Sequence, residues 1–86
     1  MDEATDKTLE RLSDRMQTYA RLCGRTNLEV AQALLASKTL QAQGYTHEQR
    51  GHLTERQAHA GVLLLDHWIA RKHEQREHQR QPDARP

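Results

Sequence analysis

The apolar residues of this chain recur at helical spacing. Leu9, Leu12, Met16, Tyr19 and Cys23 step by three and four, which stacks them on one face of a helix. The stripe is as narrow as a coiled-coil seam, and Leu22 lies to one side of it. Thr5, Asp6 and Thr8 are candidate caps, with acids early where the helix dipole favours them. Gly24 supplies a left-handed stop. A first helix is expected at about 6–23, after a frayed polar stretch over 1–7.

Asn27 reads as the cap of a second helix over 27–43, with Glu29 in its first turn and Gly44 ending it. Leu28, Ala31, Leu34, Leu35 and Ala42 form one face, and Ala33, Ala36 and Leu40 the opposite one. A helix apolar on two sides is expected to be buried on two sides, so this one is read as the central element. Gly44–His52 is a connection in which Thr46 can cap a short turn at 46–50.

The clearest boundary follows in Leu53-Thr54-Glu55-Arg56-Gln57-Ala58. Thr54 and Gln57 have the spacing of a capping box, and Leu53 and Ala58 that of a hydrophobic staple. A third helix over 54–75 then carries Ala58, Gly61, Val62, Leu65, Trp68 and Ile69 on one broad arc. Leu64 lies at the edge of that arc and Leu63 off it, beside His59, Asp66 and Ala70. Arg71–Gln81 holds only charged residues, His and Gln, and cannot offset its ordering by burial. It either extends the third helix into solvent or frays. The expected organisation is a frayed N-terminus over 1–7, a helical domain over 8–72 and a polar tail over 73–86, partly helical or disordered.

Composition sharpens the class. Eleven Leu stand against three Val and Ile, a balance that favours helix over strand. The expectation is an all-α protein, a small three-helix assembly. At 86 residues the chain is one domain with little apolar stock. It has one cysteine and no evident metal cage, so self-association is the remaining common support for so thin a core. A homodimer is expected, with Leu9, Leu12, Met16, Tyr19 and Cys23 as the self-association seam. The same short seam serves equally as ordinary packing within the chain.

The formal charge of +1 is too balanced to indicate nucleic-acid binding by itself. Its distribution is uneven: residues 1–14 carry five acids and two bases, whereas 15–25 carry Arg15, Arg21 and Arg25 and no acid. Ten Arg against three Lys suits bidentate pairing to carboxylate or phosphate, or reflects the base composition of the coding DNA. The lone cysteine fits a reducing compartment. The acidic N-terminal residues do not read as a signal peptide, so none is expected, and the longest apolar run, Gly61–Leu65, falls far short of a membrane span. A cytoplasmic protein without a membrane segment is expected.

Specific chemistry is scarce. No two of the six histidines stand three or four apart, the spacing two helical ligands need to share an ion. Glu74 and His78 have it, but only within the polar tail. Full histidine protonation would take the charge from +1 by six units to +7, so the histidines are read as charge-tuning groups. Cys23 has Arg21 and Arg25 nearby but sits on the seam, which favours a buried thiol over a nucleophile. Ser13 and Ser37 lack a nucleophile-elbow setting, and there is no phosphate loop. No catalytic residue, metal ligand or cofactor site is assigned, and a non-enzyme is expected.

Two binding classes remain. Val30–Leu40 resembles the start of a helix-turn-helix, with Ala31 as the small residue, Leu34 in the core and Ser37 capping the recognition helix. The match breaks at Leu35, where glycine is usual, and at Gln41 and Gly44, where apolar anchors belong. Lys38 is the only base of the supposed reading helix. Arg15, Arg21, Arg25 and Lys38 are the candidate nucleic-acid contacts. Arg71, Lys72, Arg76, Arg80 and Arg85 offer further phosphate contacts, diluted by Glu74, Glu77 and Asp83. Against this, Trp68 with Leu64 and the Gly61 notch has the character of a protein-binding anchor. Leu63, Leu64 and Trp68 are the candidate partner contacts. The leading expectation is a small regulatory or adaptor protein that binds a protein partner through an apolar helical surface. The runner-up is a small DNA-binding regulator with a degenerate helix-turn-helix.

Overall fold

In the computed structural model, which describes residues 3–80 and side chains as far as Glu77, the capping signals decide where the helices start. The elements are α1 (Glu3–Cys23), α2 (Asn27–Leu35), α3 (Lys38–Ala42), a 3-10 turn at His47–Gln49, and α4 (Glu55–Arg80). The protein is all-α, with no strand among the described residues.

The expected capping box opens α4. Thr54 Oγ1 accepts from the Gln57 amide at 3.2 Å, and Gln57 Oε1 accepts from the Thr54 amide at 3.1 Å. At α2 the cap is Thr26 rather than Asn27. Thr26 Oγ1 accepts from Glu29 N at 3.1 Å, and Glu29 Oε1 accepts from Thr26 N at 2.9 Å. This is the reciprocal box that Thr-Asn-Leu-Glu spells. Gly24, at φ +67°, ends α1 as expected.

The expected second helix is two helices. It breaks at Ala36 and Ser37, and Ser37 Oγ caps α3 by accepting from Leu40 N at 3.3 Å. The break explains the two-sided apolar pattern. On one continuous helix Leu34 and Leu40 would point roughly 120° apart. The bend turns both into one core, where each is at most 1% exposed. The inward face of α2 is Val30 and Leu34, and Leu28, expected inside, stands 67% exposed. The segment is therefore buried on one side and is not the centre of the fold.

The centre is the α1–α4 pair. A Cβ at Gly61 would lie 3.0 Å from Leu12 Cδ1 and 3.5 Å from Leu34 Cδ2, so α1, α2 and α4 meet at that glycine. Farther along, Arg15 meets Asp66 and Tyr19 meets Trp68. Contacts that rise together in both sequences mean that α1 and α4 run parallel. The chain returns between them through α2, which lies antiparallel to α1 after a short loop. Leu12, Ala20, Val30, Leu34, Leu40, Ala58, Val62 and Leu65 are the buried apolar residues, with Leu9, Met16, Tyr19, Tyr45, Leu53, Leu64 and Trp68 packed around them. α1 begins three residues before its expected start, and α4 continues through the polar stretch to Arg80.

Candidate functional site

α4 supplies most of the candidate surface. Its inward arc is used by Ala58, Gly61, Val62 and Leu65, all buried. Leu63 points to the opposite side and is 57% exposed, alongside the exposed His59, Asp66, His67 and Ala70. Leu64 and Trp68, one turn apart at the edge, are half-buried and pack against the core. Of the three expected partner contacts, Leu63 is thus fully presented, whereas Leu64 and Trp68 show one flank each. The Gly61 notch is not open to a partner, because Leu12 and Leu34 fill it.

Trp68 also packs on Tyr19, with ring centroids 5.5 Å apart and planes tilted by 39°. Beyond this pair the valley between α1 and α4 widens into an open groove of about 330 Å³, lined by Tyr19, His67, Trp68, Arg71, Lys72 and Gln75. Burial, then the neighbouring Cys23 thiol, pushes the Tyr19 phenol above its ordinary pKa, and the nearby positive charge of Arg25 opposes the shift. Cys23 is a free, half-buried thiol beside Tyr19.

The self-association seam is spent largely within the chain. Leu12 is buried, and Leu9, Met16 and Tyr19 pack on the core as the intramolecular reading of their spacing allows. The four candidate nucleic-acid contacts do not converge. Arg15 Nε donates to Asp66 Oδ1 at 2.7 Å and its Nη1 to Asp14 Oδ2 at 2.9 Å. The Asp66 hydrogen bond holds the Arg15 pKa above its ordinary value. Arg21 and Arg25 are exposed at the end of α1, and Lys38 is exposed at the start of α3. The length of α2, roughly 13 Å, lies between the Arg25 and Lys38 ends. α3 has five residues, too few to lay a reading face along a groove. Ser37 nevertheless occupies the capping position that the motif required. The side chains of His78 and Arg80, and all of Arg85, lie outside the described residues.

Sequence reasoning missed a polar knot beneath α4. Gln57, 3% exposed, donates from Nε2 to Gln43 O at 3.1 Å and to Gln49 Oε1 at 3.2 Å. Its Oε1 accepts from Gln49 Nε2 at 2.8 Å. Gln49 in turn holds Thr46 N and His52 O. No periodicity announces such a pair; only the capping-box position of Gln57 hinted at a structural role. Among the described residues no group of three His, Cys, Asp or Glu side chains could hold a metal ion. No described helix is long and apolar enough to cross a membrane. Comparisons with protein-family models, curated proteins and solved structures gave no match.

Proposed function

We propose that this chain is a small non-enzymatic regulatory or adaptor protein of the cytoplasm, and that it binds a protein partner along the outer side of α4. The observation that carries the reading is Leu63. A large apolar side chain stands 57% exposed in the middle of a helix whose inward arc is already occupied. Leu64 and Trp68 add half-buried flanks roughly 100° and 140° around the helix from Leu63, so the apolar ridge wraps from the outer side of α4 to its edge and offers aliphatic and aromatic anchors of the kind used in helical interfaces. Retention of a partner by the wild-type chain and its loss on Leu63→Glu, with helicity unchanged, is the expected outcome. Equal retention by both proteins would sink the assignment.

The proposal includes a homodimer, supported by the small apolar stock of the chain. With the α1 seam turned inward, Leu28 in the first turn of α2 is the exposed apolar residue we assign to self-association. The second reading, a DNA-binding regulator, rests on the Ser37 cap and the helix–turn–helix order of α2 and α3. Salt-sensitive retention on duplex DNA, lost on reversing the charges of Arg21 and Arg25, would favour it instead.

A further inference from the structure

We infer that the groove between α1 and α4 at Tyr19, His67, Trp68, Arg71, Lys72 and Gln75 seats an acidic amphipathic segment of the protein partner. The inference rests on the protein-binding reading above and names the chemistry of what binds. Its first support is charge. Three of the six lining residues are bases or histidine, and none is an acid. Of the acids in the same stretch of α4, Asp66 is already paired with Arg15 and Glu77 lies roughly 120° around the helix from Arg71, whereas Glu74, one turn beyond Arg71, borders the groove on its His67 side. On the α1 side, residues 15–25 contain three Arg and no acid. Arg25 stands near enough to Tyr19 to oppose the rise in its pKa. Glu29, the next acid along the chain, is held in the Thr26 capping box. Among the described residues no ion pair engages Arg71 or Lys72, so both cations are open to the carboxylates of a ligand.

The second support is the apolar floor. Tyr19 and Trp68 give the groove an aromatic base, and the half-buried Leu64 lies one turn before Trp68 on the same side of α4. An apolar anchor on the floor with carboxylates reaching Arg71 and Lys72 satisfies both halves of the site. A nucleic-acid strand fits less well. The two rings lie 5.5 Å apart and tilted by 39°, so each spends one face on the other and they do not form the row of separate parallel platforms on which successive bases stack.

Trp68 is the only tryptophan of the chain, so its emission reports on the groove directly. The probes are a helical peptide of Glu, Leu and Ala, the same peptide with Lys for Glu, and an oligothymidine single strand, each titrated into the full chain. The Glu peptide should shift Trp68 emission saturably and weaken with salt. Arg71→Glu or Lys72→Glu should lower its affinity about tenfold while circular dichroism shows the helices intact. Equal binding of the Lys peptide, indifference to both charge reversals, or saturation by the single strand alone would overturn the proposal. Leu63→Glu separates this failure from failure of the ridge. Partner capture lost on Leu63→Glu with no peptide binding to the wild type removes only the groove assignment. Peptide binding that obeys the charge reversals, with capture indifferent to Leu63, removes only the ridge.

Discussion

Gln57 is where three segments of the chain meet. Its amide closes the α4 cap, reaches the C-cap of α3 through Gln43 O, and pairs head-to-head with Gln49. A buried donor or acceptor left without its partner costs about 1–3 kcal/mol. Gln57→Ala removes the buried amide and its bonds to Gln43, Gln49 and Thr54, residues that are themselves exposed or half-buried, and should destabilise the fold by about 1–2 kcal/mol in urea titration; a loss below about 0.5 kcal/mol would show that water replaces the amide without penalty. The exposed Arg15–Asp66 pair should behave differently. Both side chains are more than a third exposed, and such pairs contribute at most about 1 kcal/mol, so Arg15→Met should cost less than Gln57→Ala by the same titration. Glu29 adds a pH signature. The Thr26 amide holds its carboxyl below the usual carboxylate range, so the cap is at full strength above the unfolded value of about 4.3 and weakens as the pH falls through the folded one. Amide exchange in the first turn of α2 should quicken on acidification below that range. Glu29→Gln, which keeps a capping acceptor without titrating, should flatten this response.

Gly61 sets how closely three helices approach. A larger side chain there must displace Leu12 and Leu34, both among the buried residues. Overpacking of this kind costs about 1–3 kcal/mol, and Gly61→Leu should lower the thermal midpoint accordingly. Gly61→Ala should fall near zero, because the helix-propensity gain of about 1 kcal/mol opposes the 3.0 Å contact. The helix ends were legible because caps are local: Thr54–Gln57, Gly24 and Thr46 all marked real boundaries. The α2–α3 break was harder to read, because apolar residues continue through Ala36 without a glycine or proline. Its signature was nevertheless in the sequence. Leu34 and Leu40 cannot share a face on one straight helix, and Ser37 stands between them as a ready cap. The polar C-terminal half of α4 gave no burial signal at all, so its helical state through Arg80 could not be chosen over fraying from composition.

At the scale of the whole molecule, the sequence disclosed the helical class but not the pairing of α1 with α4, since periodicity assigns faces and not neighbours. The same limit hid the groove, whose members come from α1 and from the polar end of α4. It also left Trp68 looking freer than it is, because its contact with Tyr19 joins residues far apart in the chain. For association, sedimentation equilibrium should show that Leu28→Ser weakens any dimer without unfolding the protomer. Met16→Ala, in the packed seam, should instead lower stability and leave the association constant of the folded fraction unchanged. The parallel arrangement has a kinetic consequence. Arg15 and Asp66 are 51 residues apart, so the principal interface cannot zip up from a hairpin. It must await closure of a long intervening loop. Refolding should therefore be slower than for an up-and-down bundle of similar length, whose contacts are local. During synthesis, α1 would leave the ribosome well before the helix that completes it.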